Sequence, residues 1–311
     1  MVWNRSRPAA GSTAPPPGTG PARSELASAK INLDLLVTGR RLDGYHELDS
    51  LVVFAPIGDR LEFEPADGGG LSLEVSGPFT AAVPRDESNL VLRAAELLAR
   101  RTGIALSGRI RLEKRLPVGG GLGGGSADAA AALRLLDRVC GMGLGNARLR
   151  ELGAELGADV PVCVYARPAR MRGLGERLDP VRGLPALALL LVNPGVHVAT
   201  PQVFRGLREL GLERDGGLQP HGGPLVLAQY LAESRNDLEA PAVALAPVIG
   251  KVLQSLHVLE GCLLARMSGS GSSCFGLFAD QNRVERAAAI LRAAVPGWWI
   301  EPVLIEPGPD S

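Results

Sequence analysis

A glycine-rich segment, residues 117–127 with the sequence PVGGGLGGGSA, constrains the fold of this chain more than any other feature. Six of its eleven residues are glycine, and it joins a predicted strand at residues 108–113 to a predicted helix at residues 125–139. Glycine tolerates positive φ and close approach, so successive backbone N–H groups can converge on one anion. The helix adds free N–H groups and the positive end of its dipole. The segment therefore predicts a phosphate cradle.

Two other interpretations of this segment compete with the phosphate cradle. A flexible linker is disfavoured because the segment lies directly between an amphipathic strand and a strong helix former. The spacing Gly119-x-Gly-x-x-Gly124, with Asp137 downstream, matches a dinucleotide fingerprint. That fingerprint requires an acid at the tip of a following strand, whereas Asp137 falls inside a predicted helix. The pattern G-x-x-x-x-G-K-[ST] of standard P-loops is absent from the sequence.

Composition argues against several classes of partner. The 33 basic and 33 acidic residues give no net charge, so no global basic field favours nucleic acid. The longest apolar run, residues 184–192, is far shorter than the roughly 18 residues of a membrane span. The four cysteines form no C-x-x-C pair, and the four histidines lack metal-ligand spacing. We expect a cytoplasmic protein with reduced thiols, without nucleic-acid or membrane partners and without a metal site of its own.

Hydrophobic periodicity predicts an α+β chain with two domains, 25–180 and 181–305. Residues 29–37 alternate, so Lys30 and Asn32 should point away from the core. Residues 60–64 and 71–75 flank a glycine-rich turn and favour a hairpin. Strands are also predicted at residues 47–54, 160–165, 186–193, 262–267, 274–279 and 299–305. Helices are predicted at residues 88–101, 146–156, 225–233, 242–256 and 281–294, and another helix begins at Thr200-Pro201.

The first 24 residues differ in amino-acid composition from the rest of the chain. They are rich in Pro, Ala, Gly and Ser and contain no acidic residue before position 25. This composition predicts a disordered extension, and an organelle transit peptide would share it.

Several segments together resemble the GHMP kinases, the family of galactokinase and of homoserine, mevalonate and phosphomevalonate kinases. The glycine-rich segment resembles the phosphate-binding motif of that family. Residues 29–33 (AKINL), 43–46 (DGYH) and 156–161 (LGADVP) narrow the resemblance to the kinases of 4-diphosphocytidyl-2-C-methyl-D-erythritol. Residues 193–196, 200–201 and 268–271 are similar to C-terminal segments of the same branch. The chain departs from the pattern where Ala127-Asp128 replaces a second Ser or Asn after Ser126.

The resemblance implies a two-domain fold and a phosphoryl transfer. The N-terminal domain would be similar to domain 2 of ribosomal protein S5, and the C-terminal domain would be ferredoxin-like. The reaction implied moves the γ-phosphate of ATP to the 2-hydroxyl group of 4-diphosphocytidyl-2-C-methyl-D-erythritol, in the non-mevalonate isoprenoid pathway. Magnesium is expected to accompany ATP, carried mainly by its phosphates.

The resemblance also assigns catalytic and ATP-binding residues. Asp159 would accept or orient the proton of the attacking hydroxyl, and Lys30 would stabilise charge on the transferring phosphoryl group. Without the resemblance, the local sequence fits Asp159 equally well as a turn aspartate, and it favours Lys30 as a solvated strand lysine. Asn89 and Lys114 would lie near the adenine, although the first is also a candidate helix cap and the second a candidate solvated strand end. The phosphate cradle would comprise Pro117, Val118, Gly119, Gly120, Gly121, Leu122, Gly123, Gly124, Gly125, Ser126 and Ala127.

Four residues are expected to bind the acceptor substrate. Tyr45 would stack on the cytosine ring while His46 bonds its edge. Asn32 would bond the methylerythritol or cytidine part, and Thr200 would contact the cytidine side unless it caps a helix. Asp237 and residues 268–272 also resemble family signatures and have either a structural role or a role in closing the cleft.

Three alternatives stay open at this level, and so does the oligomeric state. A GHMP kinase for another alcohol, such as homoserine or a mevalonate derivative, would not need the Tyr45-His46 platform. A non-catalytic ATP-binding regulator would need neither Lys30 nor Asp159. An NAD-dependent oxidoreductase is the least favoured, because the dinucleotide fingerprint lacks its strand context.

Overall fold

The computed structural model describes residues 23–207 and 222–306. Its N-terminal part is built on a seven-stranded sheet in which the 20-residue strand β3 pairs with β1, β2, β5 and β6. The strands, in chain order, are β1 (Ser24–Asn32), β2 (Leu36–Arg40), β3 (His46–Pro65), β4 (Leu71–Ser76), β5 (Gly108–Glu113), β6 (Ala169–Gly173) and β7 (Arg177–Pro180). Residues 1–22 of the predicted extension lie outside the described residues, and Ser24 already belongs to β1.

Four helices pack on the first sheet: α1 (Leu90–Thr102), α2 (Gly124–Val139), α3 (Gly145–Leu156) and α4 (Val160–Tyr165). The local sequence explains where α1 begins and ends. The Asn89 side chain accepts a hydrogen bond from the amide of Val91, and Gly103 follows the last turn with a φ of 71°. The predicted helices at 88–101, 125–139 and 146–156 therefore agree with α1, α2 and α3.

The C-terminal part is a four-stranded antiparallel sheet with the order β11-β8-β10-β9. Its strands are β8 (Leu187–Asn193), β9 (Cys262–Met267), β10 (Cys274–Phe278) and β11 (Trp299–Ile305). Its helices are α5 (Thr200–Arg205), α6 (Pro224–Ala232), α7 (Glu239–Leu245), α8 (Val248–His257) and α9 (Gln281–Ala294). The order β8-α8-β9-β10-α9-β11 is the ferredoxin-like arrangement that was expected, and the whole is a two-domain α+β fold.

The two sheets face one another across a shared apolar core. Side chains from β1 and β3, such as Ile31 and Val53, pack with Leu189 and Leu191 from β8 and with Phe275 from β10. The opposite face of the first sheet packs on α1–α4, and the opposite face of the second sheet packs on α8 and α9. The shared core fixes the cleft that lies at the edge of the two domains.

Some predicted elements of the N-terminal domain were wrong. Residues 60–64 and 71–75 do not form a hairpin, because β5 pairs antiparallel with β3 and leaves β4 to pair parallel with the outer side of β5. Residues 160–165 form α4 rather than a strand, buried on all sides with Pro161 in the first turn, where proline fits a helix. A short apolar run cannot by itself separate a strand from a buried helix.

Two predicted elements are each divided in the structure. The expected strand at 29–37 becomes β1 and β2, because Leu35 leaves the sheet to donate its amide to the carbonyl of Arg235. The expected helix at 242–256 becomes α7 and α8, which are separated at Ala246 and Pro247. Strands β6 and β7 were not predicted.

Candidate active site

A cleft between the domains holds two adjoining cavities. The smaller, of about 290 Å³, is lined by the glycine-rich segment together with Lys30, Asn32 and Asp159. The larger, of about 970 Å³, is lined by Tyr45 and His46 among others. Five residues line both cavities: Leu48, Ser126, Asp159, Thr200 and Phe204. Groups bound in the two cavities would therefore meet beside Asp159.

Lys30 and Asp159 form an ion pair where the cavities meet. The Nζ atom of Lys30 lies 2.8 Å from Oδ1 of Asp159, and the two side chains are 4% and 38% exposed. Lys30 comes from β1, and Asp159 immediately precedes α4. The structure thus brings together two residues that are 129 positions apart in the sequence. The partly exposed carboxylate can reach a ligand in the cleft while the buried ammonium holds it in place.

Three carbonyl groups of the glycine-rich segment accept hydrogen bonds from other parts of the protein. Those of Gly120, Gly121 and Leu122 accept hydrogen bonds from the Ser273 amide, the Ser268 hydroxyl and the Lys30 amide, at 2.9, 3.0 and 2.9 Å. Within residues 23–207 and 222–306, no hydrogen bond is donated by the amides of residues 119–126. These amides remain available to an anion.

Glycine is required at Gly121 for two reasons. Its φ is +76°, a conformation that is strained for residues with a side chain. A Cβ atom there would also lie 2.3 Å from the carbonyl oxygen of Ser268. The segment can therefore approach the C-terminal domain closely only as bare backbone.

Hydrogen bonds hold the C-terminal loop 268–273 against the glycine-rich segment. The Asn236 side chain donates to the carbonyls of Met267 and Gly269, both at 2.8 Å, and Asn193 donates to the Ser273 hydroxyl at 2.9 Å. Asp237 accepts the amide of Val37 at 2.7 Å and so ties this region to β2. The family-like segments at 193, 237 and 268–272 therefore have structural contacts that fasten the loop to the cleft.

Asn32, which lines the smaller cavity, has a buried acceptor without a partner among the described residues. It is 1% exposed, because the loop 268–273 covers the face of β1 that was expected to point away from the core. Its Nδ2 donates to Oγ of Ser50 at 2.7 Å, and that hydroxyl donates to the carbonyl of Asp34. Since the Ser50 hydrogen is used, Ser50 can only accept from Asn32. Oδ1 of Asn32 has no partner among the described residues, so it suits a hydroxyl donor on a ligand.

An aromatic pair forms one wall of the larger cavity. The rings of His46 and Phe204 stack with centroids 4.8 Å apart and planes inclined by 23°. Tyr45 lies beside them on the rim and is 62% exposed. Burial, and secondly the charge of Arg40, lower the pKa of His46, which favours the neutral ring in the stack. The surface is suited to the flat ring of a base.

Thr200 does not cap α5, the role that its sequence context left open. The capping residue is Ala199, and the Thr200 hydroxyl lies 2.7 Å from the hydroxyl of Ser270 across the cleft. Thr200 and Phe204 are four residues apart and share one face of α5. Phe204 was not predicted as a site residue, although its spacing of four residues from Thr200 indicates that the two side chains share a face.

Asn89 and Lys114 lie next to lining residues but do not line either cavity themselves. Both polar groups of the Asn89 side chain have partners: Oδ1 caps α1 by accepting from Val91, and Nδ2 donates to the carbonyl of Pro84 at 2.6 Å. Lys114 is 3% exposed and contacts two buried carboxylates. Neither residue lines the cleft in the structure.

Comparison with known proteins agrees with this geometry. Residues 89–167 match the model of the GHMP kinase N-terminal domain, and residues 223–297 match that of the GHMP kinase C-terminal domain. The chain is 50% identical over 286 residues to a protein of Parvibaculum lavamentivorans named 4-diphosphocytidyl-2-C-methyl-D-erythritol kinase, covering 91% of this chain and 98% of that one. A protein of the same name from Paramagnetospirillum magneticum is 51% identical over 276 residues, covering 89% and 96%.

A solved structure supports the same relationship. The crystal structure of a 4-(cytidine 5'-diphospho)-2C-methyl-D-erythritol kinase matches with a TM-score of 0.74 and 38% identity, over 92% of this chain and 99% of that one. The chain belongs to the GHMP kinases. Within them it belongs to the family of 4-diphosphocytidyl-2-C-methyl-D-erythritol kinases.

Two further features bear on membranes and metals. In the described ranges, no helix is both long and apolar enough to cross a membrane. The same residues contain no group of three or more His, Cys, Asp or Glu side chains arranged to hold a metal ion.

Proposed function

We propose that this chain transfers the γ-phosphate of ATP to the 2-hydroxyl group of 4-diphosphocytidyl-2-C-methyl-D-erythritol, a step of the non-mevalonate isoprenoid pathway. The relatives described above carry the name of that kinase. The observation that carries the proposal is the contact of 2.8 Å between Lys30 and Asp159, where the phosphate cradle adjoins the larger cavity.

The arrangement supports a direct phosphoryl transfer. The ATP phosphates would bind the free amides of residues 119–126, and the acceptor hydroxyl would enter from the larger cavity. Asp159 would take up or orient the proton of that hydroxyl as its oxygen bonds to the γ-phosphorus and the bond to the β-phosphate oxygen breaks. Lys30 would stabilise the negative charge on the transferring group and keep the carboxylate in position. The products would be ADP and the phosphorylated substrate.

The larger cavity favours an acceptor that carries a nucleotide. Its volume of about 970 Å³ and its stacked His46–Phe204 wall suit a cytidine diphosphate moiety, with Tyr45 and Thr200 at the rim. Homoserine or a mevalonate derivative would leave most of this space unfilled. The acceptor on Asn32 would receive a hydroxyl of the methylerythritol part. A regulator that only binds ATP would have no use for the Lys30–Asp159 pair.

We infer that magnesium enters the site together with ATP. The free amides of the cradle fit the phosphates that would carry the ion. Magnesium supplies neutralisation of phosphate charge. The residues of this chain would then bind the phosphates and orient the acceptor.

The domain boundary and the location of the protein are also proposals. The last strand of the first sheet ends at Pro180 and the first strand of the second sheet begins at Leu187, which supports domains at 25–180 and 181–305. The four cysteines are free thiols, as is usual in the reducing cytoplasm, and we propose that location.

A coupled assay of ADP release tests the function. The purified chain would be given MgATP with 4-diphosphocytidyl-2-C-methyl-D-erythritol, homoserine or phosphomevalonate in parallel. We expect turnover with the cytidylyl substrate and only background rates with the other two. Comparable turnover with a small alcohol would overturn the substrate assignment. ATP binding without turnover on any acceptor would favour the regulator.

A further inference from the structure

A buried ionic cluster lies directly beneath the phosphate cradle. Nζ of Lys114 contacts Oδ2 of Asp59 and lies 2.6 Å from Oδ2 of Asp128. The three side chains are 3%, 0% and 6% exposed, and none of them lines either cavity. A Cβ atom on Gly124 would be 3.6 Å from both Nζ of Lys114 and Oδ2 of Asp59. The cluster therefore touches the first residue of α2 from below.

The cluster holds both ends of the glycine-rich segment. Lys114 follows β5 at the entry to the segment, and Oδ1 of Asp59 accepts the amides of Arg115 and Leu116 at 2.6 and 2.9 Å. Asp128 is the fifth residue of α2, at the exit from the segment. Lys114 thus links the entry and the exit to one carboxylate on β3.

The start of α2 needs such support because it has no cap of its own. Its capping residue is Gly123, no side chain caps it, and its first two residues are Gly124 and Gly125. Glycine is a poor helix former, so this first turn is intrinsically weak. A capping side chain would occupy amides that the phosphates require. The stabilising contacts must therefore come from further down the helix, where Asp128 is located.

We propose that Lys114 and Asp128 are positioning residues that fix the phosphate cradle, and that the side chain of Lys114 does not contact the adenine. This inference rests on the proposed function, because it takes ATP as the ligand of the cradle. It also gives a role to the Ala127-Asp128 departure in the sequence, since an aspartate at this position pairs with the buried lysine.

The charges of the cluster make it sensitive to the loss of one member. Two buried carboxylates share one ammonium group, and Oδ1 of Asp128 has no partner among the described residues. Burial raises the pKa of Asp128 to about 7, which Lys114 opposes and Asp59 reinforces. Removing Lys114 would leave the carboxyl groups of Asp59 and Asp128 facing each other without a cation, and breaking a buried pair is strongly destabilising. The two carboxyl groups would rearrange, and the first turn of α2 would move with Asp128.

The test compares Lys114→Met, Asp128→Ala and the double variant with wild type. We expect the Kd for ATP from calorimetry and the KM for ATP to rise about tenfold in each single variant, since small displacements of a positioned group cost this much or more. The double variant should be no worse than the worse single variant, because the two residues act as one unit. The KM for the acceptor should stay within about twofold. The conservative Asp128→Asn, which keeps an oxygen for Lys114 but removes the charge, should lose less affinity, about threefold.

Nucleotide preference separates the positioning role from an adenine contact. We expect the ratio of ATP to GTP affinity to be unchanged in Lys114→Met. If the side chain of Lys114 contacted adenine, Lys114→Met would lose the preference for ATP while Asp128→Ala kept it. The matched control is Glu25→Gln, which removes the ion pairs of Glu25 with Arg134 and Arg138 in the later turns of α2 without touching its first turn. It should lower the melting temperature without changing the Kd for ATP.

Each outcome separates this inference from the proposed function. If wild type fails to bind ATP, the proposed function itself fails. If wild type binds ATP and folded Lys114→Met and Asp128→Ala bind it equally well, the positioning role is wrong. Should either variant not fold, Asp128→Asn decides by the same calorimetry together with Glu25→Gln, because a loss of affinity must then appear in the first and not in the second.

Discussion

Variants of Lys30 and Asp159 test the proposed chemistry most directly. Lys30→Ala or Asp159→Asn should lower kcat by about a hundredfold or more, which is the usual size of a positioned acid–base or electrostatic contribution. The fold should be retained, because Asp159 is partly exposed and Lys30 contacts the edge of the cleft. Lys30→Arg should also lose activity, since a planar guanidinium cannot reproduce the reach of a single ammonium group. ADP release and near-ultraviolet circular dichroism measure the two effects.

A surface ion pair near the end of α3 provides the control for these variants. Glu155→Gln removes the contact of 2.8 Å between Arg101 and Glu155, whose side chains are 49% and 45% exposed. Its kcat should remain close to that of wild type. If Lys30→Ala and Asp159→Asn were folded and equally active, the assigned catalytic roles would be wrong.

Asp128 gives a pH dependence with a definite sign. The pKa of its carboxyl group is raised to about 7, mainly by burial, whereas in the unfolded chain it has an ordinary value of about 3.9. Between these two values the unfolded chain has released the proton and the native state still holds it. The contribution of Asp128 to the free energy of unfolding is therefore full below about pH 4 and falls as the pH rises towards 7.

The variant Asp128→Asn removes this titration. The difference in free energy of unfolding between wild type and Asp128→Asn should therefore favour wild type more at pH 5 than at pH 7.5. Urea unfolding at the two values measures it, and the comparison cancels the titration of all other groups. A difference independent of pH would show that Asp128 stays ionised in the native state across this range.

At the scale of elements, the sequence predicted those helices and strands whose capping residues or hydrophobic pattern match the way the element packs in the structure. The capped helix at Leu90–Thr102 and the strand at Leu187–Asn193 have such signals. Strand β6 was missed because its sequence ARMRG contains two arginines, which the structure places beside buried aspartates. Arg170 lies 2.8 Å from Asp34 and also contacts Asp49. No local pattern reveals partners that are more than a hundred residues away.

Helix α5 shows how a short element builds a specific surface. Its six residues place Phe204 against His46 in the wall of the larger cavity. Phe204→Ala should raise the KM for the cytidylyl substrate about tenfold or more, because stacking on a base contributes ~1–3 kcal/mol. The KM for ATP should change little, since the cradle amides lie in another element.

The variant Phe204→Leu separates stacking from simple apolar contact. Leucine retains apolar volume without a flat ring, so its KM for the acceptor should resemble that of Phe204→Ala more than that of wild type. Initial rates with each substrate varied in turn give both constants. A wild-type KM in Phe204→Leu would mean that the wall of the cavity excludes water without stacking on the base.

At the scale of the whole molecule, the two-domain α+β fold and the shared cleft were predictable from the order of the family-like segments. The partners within the cleft were predictable only in part. The Lys30–Asp159 pair followed from the resemblance, whereas the buried positions of Asn89 and Lys114 depend on long-range packing. The cluster around Lys114 joins β3, the end of β5 and α2, and no spacing in the sequence indicates that these three meet.

The shared core predicts that the two domains unfold together. Domains joined by a small polar contact move and melt independently, whereas a large apolar interface couples them. Here Ile31 and Leu191 from opposite sheets are fully buried in one core, and Asp237 binds the amide of Val37 across the boundary. Leu191→Ala should lower the free energy of unfolding by about 2–5 kcal/mol. Because Leu191 packs against the N-terminal sheet, the loss should appear in both domains.

Hydrogen exchange followed by mass spectrometry can resolve the two domains in this experiment. In Leu191→Ala, the slowest amides of α2 and of β10 should both exchange faster, by the same factor, and urea unfolding should remain a single transition. The control Leu98→Ala creates a cavity in the core between the first sheet and its helices, far from the second sheet. It should accelerate the same two sets of amides equally if the molecule is one cooperative unit. Retention of slow exchange in α2 of Leu191→Ala would instead show that the N-terminal domain is stable without the C-terminal domain. The interface between the two sheets would then open at a lower free energy than global unfolding, and the cleft would be lost with it.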